Sequence, residues 1–268
     1  DGRTVDITSG DSGDVMVGIP LTFWKIERVG NKLRIYISEH EVDEDYKAYA
    51  HSRNGVVQDN YLYIGAYKGS VQDDKLRSLH DVMLAGGKKI GEFRTCAENQ
   101  GEGYSQQQWG TVTLMQIYTI LLTKSTDSQS ALGYGYVDNN DSFARNGGTT
   151  KKGLFYGEKS GKEQMKFMGI EDFWGNRYEW VDGLVTDPNR MWLINDKNTN
   201  YNDAGGGYTK HGESFNNDGF VSQVDGKTNT GFIPVKTNGS NSTYYADYVH
   251  QSPTGNCAAF FGGYRQGR

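Results

Sequence analysis

The sequence predicts an α+β domain from three observations: alternating strands near the start, two amphipathic helices in the middle, and long glycine-rich loops after them. Leu33, Ile35 and Ile37 alternate with Arg34, Tyr36 and Ser38, the period of a half-buried strand. Residues 21–29 are rich in β-branched and aromatic side chains, and Gly30-Asn31 is a turn pair, so 21–38 predicts a β-hairpin. Residues 15–20 and 60–67 carry strand patterns of the same kind.

The spacing of Ile90, Phe93, Cys96 and Ala97 predicts a helix over 89–100, stopped by Gly101. A second helix is predicted over 108–124, where Val112, Met115, Tyr118 with Thr119, and Leu122 form a stripe beside Leu114, Ile117 and Leu121. So wide a stripe buries most of the helix circumference, which makes Met115 core filler. From Ser125 onward Gly, Asn, Asp, Ser and Tyr dominate, as in Gly133-Tyr134-Gly135-Tyr136 and Gly147-Gly148, and long loops are expected. Trp174, Trp180, Trp192, Phe220 and Phe232 pin them. Without a repeat or a Pro/Ser-rich linker, a short arm over 1–14 and one domain over 15–268 are expected.

Composition narrows the classes. Only 35% of the 268 residues are hydrophobic, yet 13% are aromatic, with 18 tyrosines and 36 glycines, so burial must lean on rings. A net charge of −5 and the absence of any Lys/Arg block longer than a pair remove the electrostatic footprint of a nucleic-acid binder. The longest apolar stretch, 117–122, falls far short of the roughly 20 residues of a membrane-spanning helix. Beginning at Asp1, the chain is expected to be a processed or excised piece.

The stretch 169–183, Gly-Ile-Glu-Asp-Phe-Trp-Gly-Asn-Arg-Tyr-Glu-Trp-Val-Asp-Gly, is the most distinctive. Phe173 and Trp174 precede Gly175-Asn176, a step that readily takes positive φ, and Glu179-Trp180 leads to a second turn signal at Asp182-Gly183. Rings on both sides of a turn favour a packing role over a ligand site.

Sites are harder to find. Cys96 and Cys257 have no Cys-x-x-Cys or Cys/His spacing and are expected as two thiols, with no metal. Asp138-Asn139-Asn140-Asp141 offers oxygen ligands without the order of a calcium loop, so a solvated turn is expected. Asp182, Asp187 and Asp196 have no specific spacing, and the same holds for His40, His51, His80, His211 and His250. Glu39/Glu41 and Asp43/Asp45 lie in a hydrophilic run. No nucleophile elbow or phosphate loop occurs, and no catalytic residue or cofactor is predicted. The tyrosines of the C-terminal part are more suggestive. Tyr201, Tyr208, Tyr244, Tyr245, Tyr248 and Tyr264, with Asp247 and Arg265, are interleaved with Asn, Ser and Gly, the composition of binding loops and of surfaces that suit carbohydrate. The alternative is that these rings fill a ring-rich core.

Phe173-Trp174-Gly175-Asn176, Glu179-Trp180-Val181-Asp182-Gly183 and Phe260-Phe261-Gly262-Gly263-Tyr264 resemble the C-type lectin-fold branch that includes formylglycine-generating enzymes and the variable proteins of diversity-generating retroelements. With 60–67 and Gly101-Glu102-Gly103-Tyr104 added, the chain looks closest to phage and prophage tail-associated members, over roughly residues 15–268. The resemblance implies two helices packed on a small, twisted antiparallel sheet, with long loops displaying a ligand surface. It implies a non-enzymatic receptor-recognition domain on a virion tail, surface appendage or other extracellular site. Its partners would be a host surface glycan or protein and other subunits of a homo-oligomer, with no nucleic acid and no membrane insertion. An oxidase of the formylglycine-generating type and a purely structural virion component are the alternatives. Cys257 has no near partner for the oxidase chemistry, and the calcium-binding tripeptides of the sugar-binding branch do not occur. The resemblance also implies further strands beyond Arg268, so a truncated chain, or one completed by another subunit, is expected.

Overall fold

Alternation near the N-terminus produces ribbons. The computed structural model describes residues 4–138, 142–212, 217–240 and 243, and the backbone of 213, 248–249 and 257–261. β1 (Met16–Pro20) is followed by β2 (Phe23–Val29) and β3 (Lys32–Ser38), which pair antiparallel from Phe23↔Ser38 to Val29↔Lys32. Gly30, at φ +60°, makes the turn between them. Trp24 and Ile26 of this hairpin are buried. A 3-10 turn at Tyr49–His51 leads to β4 (Ser52–Arg53) and β5 (Val56–Val57), which form a small hairpin. β6 (Tyr61–Gly65) then returns antiparallel to β1, and β7 (Ser70–Gln72) pairs with β8 (Lys75–Arg77).

Both predicted helices form, as α1 (Ile90–Glu98) and α2 (Trp109–Thr123). The Lys89 N–H donates to Glu92 Oε2 at 2.7 Å and closes the start of α1. Lys124, left-handed at φ +54°, ends α2. A third, α3 (Ser128–Leu132), starts where Asp127 accepts the Ser130 N–H at 2.9 Å. No helix among the described residues is long and apolar enough to cross a membrane.

The regular elements described after α3 are all strands. β9 (Lys166–Phe167) pairs with β10 (Ile170–Glu171), and β11 (Glu179–Thr186), β12 (Met191–Ile194) and β13 (Thr209–Glu213) form successive antiparallel pairs. β14 (Gly219–Phe220) precedes the β15 (Gln223–Lys227) and β16 (Gly231–Lys236) hairpin. β17 (Tyr248–Val249) pairs with β14, and β18 (Cys257–Phe261) completes a four-stranded sheet of order β13-β12-β11-β18.

This corrects the α+β, C-type-lectin-like expectation of two helices on one small sheet. Among the described residues strand accounts for 30% and helix for 14%, and apart from the four-stranded sheet the strands there form two-stranded ribbons, so the fold is β-rich. The helices also have different seats: α1 packs on β8 and β11, and α2 on the Tyr49–His51 turn, β11 and β16. The later strands lack the alternation that marks the first ones. β11 is buried at six consecutive positions, and the sequence of β13, Thr-Lys-His-Gly-Glu, has no large apolar residue.

Two cores flank α2, which explains its broad burial. Leu114, Met115 and Ile117 join Trp24, Phe167, Phe173, Trp174 and Phe232 in the larger core. Trp109 and Val112 join Val181, Leu184, Trp192 and Ile233 in the smaller. Every tryptophan also donates its indole N–H to a backbone carbonyl: Trp24 to Thr228, Trp109 to Thr230, Trp174 to Gly133, Trp180 to Lys88 and Trp192 to Pro234. Rings thus pack the core and fasten irregular backbone to it.

Phe167 is fully buried against Phe155, Phe173 and Trp174. Phe167→Ala is expected to cost about 3–5 kcal/mol in urea unfolding, and the half-exposed Phe155→Ala well under half of that. Equal losses would contradict this placement of the core.

Candidate functional site

The 169–183 stretch folds around left-handed residues. Gly169, Asp172, Gly175 and Asn176 have φ of +87°, +54°, +83° and +62°. A Cβ on Gly175 would come within 2.9 Å of the Tyr136 N, so only glycine lets these two backbones touch. Phe173 and Trp174 enter the larger core from this turn.

Its polar side chains are turned inward as well. Glu171 accepts the N–H groups of Gly147 (2.6 Å) and Thr149 (2.8 Å), the Thr149 hydroxyl (2.6 Å) and the Gln164 amide (3.1 Å). Asp172, fully buried, accepts from Gln164 Nε2 (2.6 Å) and Asn176 Nδ2 (2.7 Å). Burial pushes the Asp172 carboxyl from 3.8 up to about 7, against the opposing charge of Lys68 and these two hydrogen bonds. Asn176 uses the rest of its amide like a strand partner, accepting the Ala144 N–H (3.1 Å) and donating to its carbonyl (3.2 Å).

The outer end of the stretch borders an open cleft of about 970 Å³. One wall is Ile170, Phe173, Arg177, Glu179 and Trp180; the others are β6, the Tyr49–His51 turn, residues 84–88 and residues 102–108. Lys68, nearly inaccessible, pairs with Glu179 at 2.9 Å on its floor. Arg177 lies over the Phe143 ring at 3.9 Å and donates to the Ala85 carbonyl at 2.9 Å, holding the 84–88 edge. His51 is buried in the wall with Nε2 3.2 Å from the Ile19 carbonyl, and burial pushes its pKa down, so a neutral ring donates there from Nε2. On β6, Tyr61 and Tyr63 stand exposed on one face. Among the described residues no group of three His, Cys, Asp or Glu is placed to hold a metal ion.

The tyrosines predicted to bind a receptor fare differently. Tyr201 is half-buried and donates to Asn198 Oδ1 at 2.9 Å; burial, then the charge of Asp182, push its phenol pKa up. Tyr208, also half-buried, accepts the Asn202 N–H at 3.0 Å. Their loop is fastened by Arg94, whose guanidinium reaches Asp182 at 2.6 Å and Asp203 at 2.9 Å. Tyr244, Tyr245, Asp247, Tyr264 and Arg265 lie outside the described residues, and of Tyr248 only the backbone, paired with Phe220, is described. Of the Asp138–Asp141 cluster only Asp138 is described, its N–H donating to the Gly161 carbonyl at 2.7 Å. Cys96 is buried in α1, and only the backbone of Cys257, opposite Thr186, is described. Tyr61, Tyr63 and Lys68 line the cleft without being among the residues the sequence predicts at a site. The available signal was Tyr61-x-Tyr63, which puts two rings on one face of a strand.

No protein-family model matches this chain, and no curated protein matches it in sequence.

Two predictions follow from the polar interior. Because folding raises the Asp172 pKa, this group's stabilising contribution is full below about pH 4 and is lost as pH rises through 7. Asp172→Asn should therefore be more stable than wild type at pH 8 by roughly 2–4 kcal/mol, with the difference shrinking toward pH 4 in urea unfolding. A constant difference would contradict the assignment. Separately, Arg94→Met strands the buried Asp182 carboxylate and should cost about 3–5 kcal/mol. Adding Asp182→Asn should recover part of that loss, and no recovery would place the Arg94 contribution elsewhere.

Proposed function

We propose that the chain is a non-enzymatic receptor-recognition domain of a phage tail or similar surface appendage, which binds a host surface glycan or protein. The observation that carries this reading is the preformed cleft of about 970 Å³, at the upper end of the size range of ligand pockets. Its walls are braced before any ligand arrives: Lys68 is tied to Glu179, Arg177 to the Ala85 carbonyl and Trp180 to the Lys88 carbonyl. A braced wall loses little freedom on binding, so the contacts it makes are retained as affinity. The appendage setting rests on the sequence resemblance. Several copies on one particle would add avidity to a modest single site.

Tyr104 lines the cleft on the 102–108 edge and is 43% exposed. The labelled chain should bind intact bacteria of a susceptible strain saturably, and Tyr104→Ala should weaken that binding roughly tenfold without lowering the melting temperature. Absence of saturable binding across a broad strain panel, or equal binding by the variant, would count against the reading.

A further inference from the structure

We infer that Tyr61 and Tyr63 form a stacking platform for a neutral saccharide at the edge of the cleft. This deepens the recognition reading above and rests on it. The platform follows from the β1–β6 register, which sets Met16 opposite Gly65, Gly18 opposite Tyr63 and Pro20 opposite Tyr61. Strand alternation then brings Met16, Gly18, Pro20, Tyr61 and Tyr63 to one face, and this face is exposed. Tyr61 and Tyr63 are 51% and 60% exposed, their ring centroids 6.3 Å apart and their planes only 31° from parallel. A Cβ on Gly18 would meet Tyr63 Cε1 at 3.4 Å and Tyr61 Cδ1 at 3.5 Å, so both rings lean over the glycine of the neighbouring strand. Two neighbouring rings, tilted 31° to one another and leaning over the same strand, offer one broad apolar surface. Exposed apolar surface of that kind at the mouth of a cleft marks an interaction site.

The rest of the cleft selects the occupant. Its charged side chains number five of each sign, and the deepest cation, Lys68, is already paired with Glu179. An anionic or cationic ligand therefore finds no net countercharge. Gln58, Gln107 and Gln108 add amides, which both donate and accept. A ligand with a flat C–H face for the rings and neutral hydroxyls for the amides fits both halves of the surface, and a pyranose has that chemistry. A peptide strand is the competing occupant, and the test separates the two.

The test uses the intact chain on an array of neutral oligosaccharides with sialylated and sulfated counterparts, followed by calorimetry with the best neutral binder and by binding to intact bacteria. At least one neutral oligosaccharide should bind. Tyr61→Ala and Tyr63→Ala should each weaken it roughly tenfold, while Tyr61→Phe and Tyr63→Phe, which keep the ring face, should leave it within about twofold. Both side chains are exposed, so the melting temperature should not move. Binding only of charged glycans, no binding to the array, or neutral binding indifferent to the alanine variants would overturn the platform. Cell binding that persists unchanged in the alanine variants would overturn it and leave the recognition reading standing, as a peptide-binding surface would require. Glycan binding through the tyrosines without any cell binding would keep the platform and remove the recognition role.

Discussion

Backbone polar groups that are buried must find partners, and the described parts of residues 133–150 have almost no regular structure to supply them. Side chains of residues 164–176 supply them instead. Glu171 takes the Gly147 and Thr149 N–H groups, Asn176 takes both backbone groups of Ala144, and Trp174 donates to Gly133. Lys166 donates its ammonium to the Thr149 carbonyl. Backbone contacts add to these, with the Asn176 N–H donating to Tyr136 and the Glu171 N–H to Ala66. Four left-handed residues between Gly169 and Asn176 fold the backbone tightly enough to bring Glu171, Trp174 and Asn176 to this one loop. The aromatic pair at its centre then sinks into the larger core and fixes the depth of the whole assembly.

The cleft is a consequence of that arrangement. Its inner wall is the continuation of the same turn, and Asn146, held in the loop that Glu171 organises, donates to the Lys68 and Leu79 carbonyls and so joins the loop to the N-terminal ribbons. Lys68 then meets Glu179 across the floor. The paired charges are far apart in sequence and nearly dry on the lysine side, so their geometry depends on both halves of the chain having folded. The tyrosine platform sits on a different element, the β1–β6 ribbon, whose inward residues Ile19 and Ile64 belong to the same core as Phe173. One core therefore positions the inner wall and the aromatic edge together.

Legibility in the sequence followed the length of each local pattern. The β2–β3 hairpin and α2 carry the longest local signals, an alternating strand beside a Gly-Asn turn and a wide apolar stripe, and both form within a residue or two of their expected bounds. α3 has five residues of mixed character, with only the Asp127 cap as a signal. β11 hides an acid and a glycine, Asp182 and Gly183, within its run of six buried positions, and they look like a turn until Arg94, 88 residues earlier, neutralises the acid. The same clamp explains Tyr201 and Tyr208. Their surroundings have the composition of binding loops, and nothing local says that a distant arginine will draw the segment inward. Tyr61-x-Tyr63 was visible as alternation, but which face of a strand meets solvent is decided by the partner strand and the core beneath it.

The side chains of one turn thus hold the described parts of residues 133–150 in place. Native-state hydrogen exchange on Glu171→Gln tests it most directly, since this change removes the carboxylate that accepts Gly147 and Thr149 while keeping the side chain's size. Protection should fall together across residues 133–138 and 142–150, while the β2–β3 hairpin keeps its own. Faster exchange confined to Gly147 and Thr149, with the rest of the loop protected as in the wild type, would show that the loop holds itself without the turn.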